Sequence, residues 1–149
     1  MTQASPAAAR APWHLWAIGV VAALWNGFAC YDYTMTKIGG EAYLRANGLP
    51  EAIIAQYVAS PVWYTAAWAI GVWGGLLGGL LLLLRRKWAL YAFVASFAAF
   101  LLMVLYEYVL TSGGQLAGAS GAVMTALIAA FCVFFIWYAW TAGKRGWLR

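Results

Sequence analysis

The sequence predicts an all-α fold, an integral membrane bundle of four transmembrane helices with a partly helical external loop. Three observations carry that expectation. Four apolar stretches fill most of the chain, and each is about 20 residues long, the length at which a helix crosses a hydrocarbon layer about 30 Å thick. The 149 residues are 66% hydrophobic and 9% charged, with a mean hydropathy of +0.78, a composition untenable on a water-facing surface. Many of the Trp and Tyr residues fall near the ends of the stretches, where amphipathic rings suit the headgroup region.

Residues 1–12, rich in Pro and Ala, read as a disordered cytoplasmic tail, followed by a transmembrane domain over 13–141 and a basic cytoplasmic tail over 142–149. The first span is expected over about 13–33; its apolar run is too long for a cleaved secretory signal. The second, about 62–84, follows Pro61 and closes on Arg85, Arg86 and Lys87, cations that suit the negative end of a helix dipole. The third, about 88–110, stops at Thr111-Ser112-Gly113-Gly114, and a linker to about Ser120 leads into the fourth, about 122–140. Between the first two spans, Pro50 can open a short helix with Leu49, Ile53, Ile54, Tyr57 and Val58 on an apolar face and Glu51 and Gln56 toward water. Glu41 and Arg45 are spaced for an i,i+4 pair.

The net charge of +5 comes from clusters beside apolar segments, so it orients helices in a bilayer and does not point to nucleic acid. With the N-terminus inside, Arg10, Arg85, Arg86, Lys87, Lys144, Arg145 and Arg149 are cytoplasmic and Lys37 and Arg45 external, a ratio of seven to two. That places the chain in a bacterial inner membrane with both termini cytoplasmic. Membrane lipids are its first partners.

Asp32 and Glu107 are the acidic residues inside the spans. Each falls about one turn from the external edge and near a helix C-terminus, where desolvation and the macrodipole both disfavour an ionised carboxylate. Lys37, Arg45, a shared proton or a transported cation could compensate them, or they could reach the interface by snorkelling. Asn26 lies near the middle of the first span, where an amide usually hydrogen-bonds another helix or lines a polar pocket. Asn26, Cys30, Tyr33 and Lys37 form one helical stripe, and Trp25, Asp32 and Thr36 another. Asp32, Glu107, Asn26 and Lys37 together are the candidate polar or ion site.

Gly71, Gly75 and Gly79, with Gly74 and Gly78 alongside, make a smooth strip on the second span that permits close helix packing, within the bundle or between subunits. His14, beside Trp13 and Trp16, reads as an interfacial anchor, and Cys30 and Cys132 as small packing residues at different depths. With one histidine and no nucleophile or phosphate-loop motif, no catalytic residues, metal or cofactor are expected.

The segments Pro12-Trp13-His14-Leu15-Trp16, Leu24-Trp25-Asn26-Gly27, Asp32-Tyr33-Thr34-Met35-Thr36 and Trp68-Ala69-Ile70-Gly71-Val72-Trp73-Gly74-Gly75 resemble those of a family of small four-span inner-membrane proteins of α-proteobacteria. The resemblance covers almost the whole chain. It implies a four-span fold and supplies no catalytic residues; some members carry the label sugar transporter. The expected function is therefore non-enzymatic: an accessory or assembly subunit of a larger membrane complex, joined to a protein partner or to its own copies through transmembrane helices. The alternative is a small oligomeric transporter, proton-linked or carrying a sugar or other small solute, with Asp32, Glu107 and Asn26 lining the route.

Overall fold

The computed structural model describes residues 10–149 and is helical almost throughout. Its elements are α1 (Trp13–Ala46), α2 (Glu51–Val58), α3 (Val62–Leu83), α4 (Trp88–Leu105), a π-helical turn (Tyr106–Leu110) and α5 (Gly113–Lys144). The expected tail over residues 1–12 lies mostly outside the described residues. Four of the helices are long and apolar enough to cross a membrane, which makes the chain a multi-pass integral membrane protein.

Pro12, Pro50 and Pro61 each stand immediately before a helix, in extended conformation, where a missing N–H costs nothing. The helix ends differ from the expected spans. An apolar window reports the thickness of the lipid and not the length of the helix, so α1 runs on past residue 33 through its polar stretch. It breaks at Gly40 (φ 53°, ψ −139°), a conformation open essentially to glycine alone, and a last turn continues to Ala46. Gly118 (φ 62°, ψ −156°) breaks α5 in the same way, and the segment read as a linker to Ser120 is already helical from Gly113.

At the far end of α3 the chain closes with a Schellman turn. Arg86 N–H donates to the Leu81 carbonyl and Arg85 N–H to that of Leu82, with Arg85 itself left-handed at φ 56°. A side chain tolerates that φ because the C-terminal tail holds the residue: Arg85 Nε donates to the Trp147 carbonyl at 2.8 Å, and Arg149 N–H to the Arg85 carbonyl at 2.6 Å. The start of α1, the Arg85–Lys87 turn and the C-terminus thus share one end of the bundle, called here the basic end. The other end carries α2.

Helix α3 packs along both α1 and α4, while α5 leans chiefly on α4. The glycines explain the closeness. On one side of α3, a Cβ at Gly79 would lie 2.8 Å from the Ala23 backbone nitrogen, and one at Gly75 would collide with the Asn26 amide. On the other side, Gly78 faces the Phe93 ring, Gly74 faces Ser96, and Ser96 Oγ donates to the Gly71 carbonyl at 2.5 Å. The buried core lies toward the basic end, where Leu15, Ala22, Leu82, Phe93 and Phe135 are each no more than 3% exposed. Phe93 stacks on Phe135 at 5.4 Å and Trp25 on Phe131 at 4.5 Å, which ties α5 to α4 and α1.

Candidate functional site

The polar residues gather at the end that carries α2, and each of the sequence candidates has a partner there or lower in the bundle. Glu107 sits in the π turn that ends α4, a turn steadied by Thr111, whose hydroxyl donates to the Tyr106 carbonyl at 3.0 Å. The wider turn sets the neighbouring side chains of Tyr106 and Glu107 on the same cavity wall. Tyr64, buried in the first turn of α3, donates its hydroxyl to the Glu107 carboxylate in a short hydrogen bond. A cavity of about 60 Å³ opens beside this pair, lined also by Gln56, Tyr57 and Ser60 from the α2 region and by Gly113 of α5.

Asp32 is placed differently. It accepts a hydrogen bond of 2.9 Å from Tyr43 Oη, eleven residues further along the same helix. On a straight helix that separation is about 16 Å along the axis, far beyond the reach of a phenol. The break at Gly40 is what folds Tyr43 back to Asp32. The two carboxylates therefore have separate tyrosine donors, and neither shares a hydrogen bond with the other or with Lys37 or Arg45. Both still act on Tyr57, whose phenol is pushed up to about 12 by burial first and then by the negative fields of Glu107 and Asp32.

Lys37 donates to Thr65 Oγ1 at 3.1 Å and lies 6.0 Å and 5.9 Å from the ring centroids of Tyr33 and Trp68. Arg45 binds Glu41 at 2.8 Å, at the spacing read from the sequence, and reaches across to Glu51 at 2.6 Å. The Arg45 hydrogen bonds hold the Glu51 carboxyl below its ordinary range. Asn26 donates to the Ala22 carbonyl of its own helix at 2.8 Å, with its amide against Gly75. The Asn26, Tyr33 and Lys37 stripe is the face that α1 turns to α3: Asn26 meets Gly75, Tyr33 meets Trp68 edge-on at 5.1 Å, and Lys37 meets Thr65.

Two side-chain assignments on α2 are corrected. Gln56 does not face water: its amide donates to Thr111 Oγ1 at 3.0 Å and lies against Gly113. Val58, expected on the apolar face, is 62% exposed, whereas Ile54 of that face is buried. The Gln56 contacts follow from α5 beginning at Gly113, which puts a helix beside α2 where a free linker was expected. His14 is more than an interfacial anchor, since its Nδ1 is 2.6 Å from Tyr138 Oη and its ring meets Trp147 edge-on. Cys30 and Cys132 are free thiols.

Sequence reasoning missed Tyr43 and Tyr64, the donors to the two carboxylates. Depth counting offered a signal for Tyr64 alone: it stands one turn inside α3 at the level where α4 ends, so an antiparallel neighbour brings it to Glu107. Among the described residues, no three His, Cys, Asp or Glu side chains gather as a metal would need. Comparison with protein-family models, with curated proteins and with solved structures finds no match for this chain.

Proposed function

We propose that the chain is a non-enzymatic protein of the bacterial inner membrane that serves as an accessory or assembly subunit of a larger membrane complex, docking through α5. The observation that carries this reading is how little of α5 its own bundle uses. In the apolar window of α5, 6% of the residues are buried, against 22% in those of α1 and α4 and 33% in that of α3. Ala122, Ala126 and Ala130 are exposed there at four-residue spacing, and small side chains in such a row let another helix approach to backbone contact in lipid. Bulky exposed side chains flank that row on α5, Val123, Met124 and Leu127 among them, as Leu24, Phe28, Tyr91 and Leu101 are exposed on α1 and α4, so the regular spacing of the alanines is what marks the surface. The glycine strip of α3 is occupied within the bundle by α1 and α4, so α5 replaces it as the assembly surface.

A carrier is less well supported. The core toward the basic end is close-packed across all four long helices, and the polar groups lie on the other side of it. The basic end, with seven of the nine Lys and Arg residues, belongs in the cytoplasm by the positive-inside rule. Purification in mild detergent followed by mass spectrometry tests the reading. A partner recovered at fixed stoichiometry with wild type, and lost with Ala126→Leu at unchanged melting temperature, supports it; a monomer that moves ions or sugars across proteoliposomes overturns it.

A further inference from the structure

The cavity beside Glu107 has a chemical character that assembly through α5 does not use. Its wall holds one carboxylate, from Glu107, and three phenol rings, from Tyr57, Tyr64 and Tyr106, with Gln56 and Ser60 adding polar groups. No Lys, Arg or His lines it. The cations at this end are engaged elsewhere, Lys37 with Thr65 and Arg45 with Glu41 and Glu51. Glu107 thus has a phenol hydrogen bond but no counter-charge, and it sits near a helix C-terminus whose carbonyls add negative potential. An anion is repelled from such a place.

Phenol rings attract cations through their faces, most strongly where water is thinned out. Tyr106 is held among aromatic neighbours, with the Tyr64 ring at 4.8 Å and the Trp63 ring edge-on at 5.3 Å. A bare metal cation needs a shell of several strong oxygen ligands, and here a single carboxylate stands among neutral phenols, an amide and a hydroxyl, with no cluster of three His, Cys, Asp or Glu among the described residues. An alkylammonium does not need that shell: its N–H groups suit the carboxylate and the polar side chains, and its carbons suit the rings. The volume, about 60 Å³, holds a few heavy atoms, since one water needs about 10–15 Å³ on the same measure.

We propose that this cavity binds a small alkylammonium group, with Glu107 as its counter-ion and Tyr57, Tyr64 and Tyr106 as its aromatic wall. The same chemistry is presented by a free primary amine and by the ethanolamine headgroup of a membrane lipid. The site stands whether or not α5 docks a partner.

The test uses the full chain in phosphatidylglycerol nanodiscs, titrated with methylammonium chloride and, at equal ionic strength, with sodium chloride, and read by calorimetry and tryptophan fluorescence. Saturable binding of methylammonium but not sodium is expected. Glu107→Gln, which keeps an acceptor for Tyr64, should weaken it by about tenfold or more. Tyr106→Leu should weaken it by about threefold or more, and Tyr106→Phe should restore it. Equal responses to the two salts, full binding by Glu107→Gln, or equal binding by the Leu and Phe variants overturns the proposal. If Glu107→Gln does not fold, the salt comparison and the Tyr106 pair decide. In discs containing phosphatidylethanolamine, a weaker apparent affinity for methylammonium marks the lipid headgroup as the occupant, and an unchanged one marks a soluble amine.

Discussion

At the scale of single residues, the two intramembrane carboxylates are met by phenols and not by cations. Tyr64 is 3% exposed, and its hydroxyl donates to the Glu107 carboxylate at the edge of the cavity. Tyr64→Phe should lower stability by about 0.5–1.5 kcal/mol, the net contribution of a hydrogen bond whose acceptor a water in the cavity can still reach. Tyr108→Phe is the control, because Tyr108 is 41% exposed and its 3.2 Å contact with Thr125 Oγ1 can be replaced by water or headgroups. Thermal melting in detergent checks the pair; equal melting temperatures for the two variants would show that the Tyr64–Glu107 bond contributes nothing. The acidic candidates were legible because charge is rare and costly in lipid. Their partners were not, because a tyrosine near a membrane edge looks like any interfacial aromatic until helix rotation and depth are fixed.

At the scale of elements, close approach is written in the glycines but only some of them matter. Gly79 faces backbone atoms of α1 that cannot yield, whereas Gly27 has open space where a Cβ would go. Gly79→Ala should separate α3 from α1 and cost about 1–3 kcal/mol. Gly27→Ala should leave stability unchanged or raise it by up to about 1 kcal/mol, through helix propensity alone. Melting curves of the two variants distinguish a packing surface from a merely glycine-rich helix. The starts of α1, α2, α3 and α4 were readable from Pro12, Pro50, Pro61 and the Arg85–Lys87 turn, since these signals act locally. The π turn at Tyr106 and the breaks at Gly40 and Gly118 were not readable. A glycine within a helical pattern permits a break without requiring one, and the Tyr43–Asp32 contact that accompanies the break at Gly40 joins residues too far apart on a straight helix to be paired from the sequence.

At the scale of the whole molecule, the arrangement is asymmetric in two directions. Along the membrane normal, a close-packed apolar core lies toward the basic end, and the carboxylates, tyrosines and cavity lie toward the other. The charge distribution orients that axis, so alkaline phosphatase fused after Arg149 should be inactive; an active fusion would invert the topology. Across the membrane plane, α1, α3 and α4 pack closely and the second half of α5 joins their core, while the first half of α5 is mostly uncovered. Hydropathy revealed four spans but not this second asymmetry, because a lipid-facing helix and a partner-facing helix are equally apolar. The spacing of Ala122, Ala126 and Ala130 becomes informative only once the fold shows those residues pointing away from the bundle. The most direct measurement is photocrosslinking in intact membranes from a reactive amino acid placed at Ala126, with the same residue at Leu24 as the control. Docking through α5 should give one protein adduct of constant mass from position 126 and none from position 24; adducts with lipid alone from both positions would contradict it.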